Sequence, residues 1–93
     1  MEFDAELLLG AEIEFLEIYS IRGDAFHEQF DLALERLRMF PESGPVYSGR
    51  FRRLLISKTP YAIFYTIEAR RVMVHAVLDL RREPERILQR LKK

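Results

Sequence analysis

The apolar residues of this chain change their spacing once, at a short loop rich in proline and glycine. Upstream of that loop they recur at helical intervals. Phe26, Phe30, Ala33, Leu34, Leu37 and Phe40 step as one continuous stripe, each three or four residues from a neighbour, which predicts an amphipathic helix. An earlier stretch, Ala5 to Tyr19, puts Leu8, Ala11, Phe15, Ile18 and Tyr19 on one face and Glu6, Glu14 and Glu17 largely on the other. It predicts a first helix, with Gly10 inside it at a cost of roughly 1 kcal/mol against alanine. Gly23 suits a left-handed helix end and Asp24 the N-cap of the next helix. So short a link predicts an antiparallel helical hairpin.

Pro41-Glu42-Ser43-Gly44-Pro45 is a loop by composition. Beyond it the period falls to two. Phe51 to Ser57 reads as a strand, with Arg52, Leu54 and Ile56 opposite Phe51, Arg53 and Leu55. Tyr61 to Ile67 is aromatic and β-branched on both faces, which predicts a central strand. Glu68 to Arg70 turns the chain without the usual Gly or Asn. Arg71 to Leu80 is a third strand, with Val72, Val74, Ala76 and Leu78 opposite Met73, His75 and Val77. Pro84 opens a final short helix through Ile87, Leu88 and Leu91. Met1 to Phe3 fits either an edge strand or a lead-in. Helices first and strands after give an α+β fold: a helical hairpin over one face of a small antiparallel sheet, with a short C-terminal helix. The 93 residues are read as one domain, 1–93, with no repeat or linker.

No cysteine is present, so disulfide stapling is excluded. The two histidines offer no zinc-ligand spacing, and neither metal nor cofactor is expected. The first ten residues carry Glu2, Asp4 and Glu6 and no basic leader, and no apolar run nears the ~20 residues of a membrane span. A cytoplasmic protein without membrane contact is expected. The net charge of zero hides a division. Residues 1–45 hold three arginines against eleven acids, a balance of −8; residues 46–93 hold twelve Lys/Arg against four acids, a balance of +8. Two such halves attract each other within one fold, and a basic half also suits an anionic partner.

The element order and a series of local strings resemble the RelE/ParE toxin superfamily along nearly the whole chain. The strings are Glu17-Ile18-Tyr19, Phe40-Pro41-Glu42-Ser43-Gly44, Arg52-Arg53-Leu54, Pro60-Tyr61-Ala62-Ile63-Phe64-Tyr65 and Val77-Leu78-Asp79-Leu80-Arg81-Arg82-Glu83-Pro84. Each is weak alone; in order and at these distances they are specific. The resemblance implies a type II toxin with a cognate antitoxin protein encoded beside it. That antitoxin would wrap the toxin with an acidic or amphipathic tail as a hetero-oligomer.

Within the superfamily one branch cuts mRNA on the ribosome and another poisons DNA gyrase by binding. In the ribonuclease branch a basic residue opens the central strand and a Tyr or His-Tyr pair follows the last strand. Here Tyr61 follows Pro60 at the first point, and Arg81-Arg82-Glu83-Pro84 stands at the second. The pattern resembles the ParE branch, associated with growth inhibition and plasmid stabilisation. The alternative, a ribosome-dependent endoribonuclease, would draw on Arg50, Arg52, Arg53, Lys58, Tyr61, Asp79 and Arg81. RNA cleavage needs a base, an acid and cations for the phosphorane. For antitoxin or target binding the candidates are Arg50, Arg52, Arg53, Lys58, Tyr61, Tyr65, Arg81 and Arg82. Ordinary readings stand beside these. The first three arginines suit a solvated strand edge. Tyr61 and Tyr65 suit a half-buried core with hydroxyls at its rim. His75 suits a hydrogen-bonded structural histidine, His27 a surface one, and Asp79 a clamp on Arg81.

Overall fold

The computed structural model describes residues 2–92. Strand β1 (Asp4–Leu7) leads into helix α1 (Leu9–Arg22) and helix α2 (Asp24–Met39). Strands β2 (Val46–Ser48), β3 (Phe51–Leu55), β4 (Tyr61–Glu68) and β5 (Arg71–Asp79) follow, and helix α3 (Pro84–Leu91) ends the fold. The sheet order is β1-β5-β4-β3-β2. The meander from β2 to β5 is antiparallel, whereas β1 pairs parallel to β5. No helix among the described residues is long and apolar enough to cross a membrane.

The α+β order and the central strand are as the sequence predicts. Every residue from Ala62 to Thr66 is buried, because β4 has neighbours on both edges and helices over both faces. The sheet departs from expectation in having five strands and in being mixed. Met1 lies outside the described residues; Phe3 precedes the first strand and donates its N–H to Arg38 O at 2.8 Å. Residues 5–7 belong to β1, not to the first helix, which starts at Leu9 and runs to Arg22. Asp4 to Leu7 alternates in exposure, and parallel pairing with β5, nearly 70 residues away in sequence, satisfies its backbone. Gly10 is therefore the second residue of α1, not an interior one. Gly23 has φ 73° and ψ −157°, a positive-φ conformation other than the left-handed helical one, and it takes the N-cap place expected of Asp24. The tight turn after Glu68 is made with Ala69 at φ 56°.

A second departure lies within β5. The ladder pairs Phe64 with Ala76 but Tyr65 with Val74, leaving His75 as an extra, bulged residue. The alternation flips there. Val72 and Val74 share the hairpin-side core with Val77, while Ala76 and Leu78 point to the opposite face. A strict period of two would have put Asp79 away from the hairpin; the bulge turns it toward α1.

Three layers result. On one face α1 and α2 set Ala11, Phe26, Phe30, Ala33 and Leu37 against Ile56, Ile63, Tyr65, Val72, Val74 and Val77. On the other, Ile87 and Leu91 of α3 cover Ala62, Phe64, Ala76 and Leu78, with Tyr47, Phe51 and Leu80 at the border. The loop between α2 and β2 is pinned to the sheet. The Tyr65 hydroxyl donates to Pro41 O at 2.7 Å and accepts from Gly44 N–H at 3.0 Å. A Cβ on Gly44 would stand 2.7 Å from Arg53 O, so only glycine lets the loop pass this close.

Candidate functional site

The bulge, the end of β5 and the C-terminal half of α1 together open a groove of about 440 Å³ lined by Glu14, Glu17, Ile18, Tyr61, Val77, Asp79, Arg81 and Arg82. Tyr61 and Asp79 are register partners at the ends of β4 and β5. Asp79 holds the Arg81 guanidinium, which donates from Nε to Oδ1 at 3.0 Å and to Oδ2 at 3.2 Å and from Nη2 to Oδ2 at 2.7 Å, and it accepts the Arg81 backbone N–H at 2.8 Å. The Arg81 hydrogen bonds hold the Asp79 carboxyl down at about 2, so it is ionised throughout the neutral range. Tyr61 presents its hydroxyl to Arg22 Nε at 3.2 Å, with the same guanidinium 5.0 Å from its ring centroid and the Phe26 ring against it at 5.6 Å. Arg82 is exposed, and its guanidinium forms no ion pair among the described residues. Of the residues singled out in the sequence, Tyr61, Asp79, Arg81 and Arg82 thus converge.

The other candidates do not join them. Arg52 points to the hairpin side and donates to Gly44 O at 2.9 Å, with only 23 % of its side chain exposed. It braces the 41–45 loop. Arg53, one residue on, faces the opposite side and lies 5.0 Å over the Tyr47 ring. Arg50 sits in the β2–β3 turn, 3.7 Å from the Glu68 carboxylate. Lys58 lies beyond the far end of β3, with φ 64°, beside Arg22, Phe26, Glu28 and Thr59. Alternation along a strand separates Arg52 from Arg53, and a five-residue strand puts roughly 17 Å between its ends. No single cationic patch forms from Arg50, Arg52 and Arg53. Tyr65, expected as a contact residue, is fully buried and spends its hydroxyl on the loop. Burial pushes its phenol up, against the Gly44 hydrogen bond.

The ribonuclease set is likewise divided. Lys58 and Arg50 flank opposite ends of β3, and Asp79, the register partner of Tyr61, is clamped in its charged form and has no proton to give near neutrality.

Two polar constellations escaped sequence reasoning. Beyond Val74 the edge of β5 loses β1, and side chains take over its backbone groups. Glu14 Oε1 accepts the Val77 N–H at 3.0 Å, and Arg90 Nη2 donates to His75 O at 2.9 Å. The two are bound to each other, Arg90 Nε to Glu14 Oε2 at 2.9 Å, at 25 % and 17 % exposure. Only the bulge and the end of β1 create the need for them, and neither can be read from local pattern. The second is a chain of hydrogen bonds. Thr66 Oγ1 donates to Glu68 Oε2 at 2.9 Å and lies 2.9 Å from His75 Nε2. A hydroxyl has one proton, so with Thr66 donating to Glu68 the His75 Nε2 carries its own. Burial, with Arg50 nearby, pushes the imidazole below its ordinary value. His75 is structural and hydrogen-bonded, as its sequence setting suggests, and His27 lies on α2 3.1 Å from Asp31.

No family model and no curated protein sequence matches the chain. Among solved structures, a chain described as "Chromosomal ParDE TA system from P. aeruginosa" superposes with a TM-score of 0.67 at 11% identity, over 82% of this chain and 94% of that one. The likeness is one of fold, which in the described residues of this chain comprises three helices and a mixed five-stranded sheet.

Proposed function

We propose that this chain is the toxin of a type II toxin–antitoxin pair, acting in the cytoplasm by binding and not by chemistry, with DNA gyrase as its target. The observation that carries the reading is the likeness of fold, over most of both chains, to a component of a ParDE TA system. A shared fold does not dictate a shared target, and the site supplies the second support. Tyr61, Arg81 and Arg82 offer an aromatic face and guanidinium groups at one groove, chemistry suited to carboxylates and to a protein surface. The groups a ribosome-dependent ribonuclease would need are spread over both faces and both ends of β3. The cognate antitoxin would neutralise the protein by laying an acidic tail against Arg81 and Arg82 at one side of the groove.

Induction of the chain alone in bacteria tests the proposal. Growth should stop with an SOS response, loss of supercoiling and intact messages, and co-expression of the neighbouring small open reading frame should restore it. Cleaved messages with unaffected gyrase would make the chain a ribonuclease. Unimpaired growth with folded, abundant protein would remove the toxin reading altogether. Charge reversal at Arg81 and Arg82 together should weaken the antitoxin complex about tenfold or more at low salt, measured by calorimetry, and unchanged affinity would detach the groove from antitoxin binding.

A further inference from the structure

Helix α1 carries two apolar stripes, and the fold uses one. Ala11, Phe15 and Ile18 face the sheet and α2. Leu9, Ile13 and Leu16 step at i, i+4 and i+7 along the outer face and are 73 %, 49 % and 53 % exposed. A helix packed on one side only should show polar residues on the other. Single exposed leucines mean little, but three in one line at the spacing of a helix–helix seam form a ridge. Leu91 of α3 and Gly10 border a hollow beside Ile13, so the ridge has a flanking groove.

We propose that this outer face of α1 docks an amphipathic helix whose apolar stripe is bordered by lysine or arginine. The charge along the ridge selects the occupant. Exposed Glu12 lies on one side of it and exposed Glu17 on the other. From Leu9 to Ile21 the helix has no lysine or arginine. A second copy of this chain, paired antiparallel through Ile13, would set Glu12 against the same acid of the other copy, and like charges at a helix seam repel. A partner helix with basic flanks meets the acids with opposite charge while its leucines cover the ridge. The surface belongs to the acidic half and meets the β5 groove at Glu17, and the inference does not rest on the toxin reading.

Two synthetic helical peptides of roughly 20 residues, long enough to span the ridge, test it against the full chain. Both carry leucines at heptad spacing; one has lysine flanks, the other glutamate. In a ¹⁵N NMR titration the lysine peptide should shift the amides of Leu9, Ile13 and Leu16. Calorimetry should give the glutamate peptide about tenfold or more weaker binding, with the difference shrinking as salt rises. Leu16→Glu, at an exposed position, should abolish binding with the rest of the spectrum unchanged. The double variant Glu12→Lys/Glu17→Lys should reverse the preference between the peptides. Equal binding of both peptides, binding of neither, or shifts confined to another face would overturn the proposal. So would self-association of the chain that disappears in Leu16→Glu, since the ridge would then belong to a second copy.

Discussion

The two faces of the sheet are closed in different ways. On the first, a two-helix hairpin lays Phe26, Phe30 and Leu37 over the strands, with no more than 3 % of any of them exposed. On the second, one eight-residue helix, α3, brings two buried side chains, Ile87 and Leu91, to the sheet. An isolated helix of that length is not stable in water. Area secures the hairpin; α3 has little area and adds directed polar contact. Arg90 reaches across to Glu14 of α1 and to His75 O of β5, tying the two layers together around the unpaired end of the strand. Gly10 makes room for it, since a Cβ there would stand 2.5 Å from Arg90 Nη2. The difference teaches where the fold tolerates injury: the hairpin face should fail as a whole, and the α3 face should fail locally.

The largest expected effect breaks the hairpin face. Phe30 is 3 % exposed and its ring meets Phe15 at 4.6 Å and Phe26 at 6.0 Å. Phe30→Ala should cost about 3–5 kcal/mol, the usual range for truncating a packed phenylalanine. A small domain has only about 5–15 kcal/mol in total, so urea denaturation should show a large fall in midpoint or no folded baseline. A loss under about 1 kcal/mol would mean the aromatic cluster is not the core it looks to be.

The middle effect sharpens the contrast. Arg90→Ala leaves Glu14 and the His75 carbonyl short of their partner, and Glu14→Ala does the same to Arg90 and the Val77 N–H. Each should cost about 1–3 kcal/mol, as for a polar group left unsatisfied in a partly buried place. The double variant should cost less than the sum, because the second deletion removes a group already orphaned. Hydrogen exchange should localise the damage in Arg90→Ala to α3 and residues 75–79, with α2 still protected. Strict additivity, or loss of protection across the hairpin, would show that the ion pair is not a local tie.

How much of this was legible follows from the range of the interactions. The helical hairpin, the central strand and the final helix rest on periodicities within fifteen residues, and the sequence displays them directly. β1 was hidden because four residues whose apolar spacing also fits a helix reveal a strand only when β5 is beside them. β2 is three residues long and follows a proline, too short for any period. The bulge at His75 has no composition signal, and it decides which face Asp79 joins. For the same reason the site was read in half. Tyr61, Asp79, Arg81 and Arg82 cluster at adjacent strand ends, whereas Arg52 and Arg53 diverge through strand alternation, a period that forbids adjacent residues from sharing a surface, and Arg50 stands in the turn before them. Glu14 and Arg90, 76 residues apart, pair only after every layer is in place.

The smallest effect concerns the groove, where charge is held at the surface and packing contributes little. Asp79 is held at about 2, chiefly by its hydrogen bonds to Arg81, against an ordinary value of 3.8. A carboxyl lowered by folding stabilises the native state above its unfolded value, and that contribution fades as pH falls through the folded value. The window is therefore about pH 4 down to about pH 2. Arg81 is 69 % exposed, so solvent screening keeps the contribution at about 1 kcal/mol or less. His75 works in the same direction at higher pH: with its value depressed, the unfolded chain takes up a proton first as pH falls through about 6.5, and stability falls there too. Comparing the wild type with Asp79→Asn in urea melts across pH 2–7 separates the two. The difference between them should be flat from pH 7 to about pH 4.5 and narrow below it. A difference that already narrows near pH 6 would tie Asp79 to the titration of His75, and the groove and the α3 face would then be coupled instead of independent.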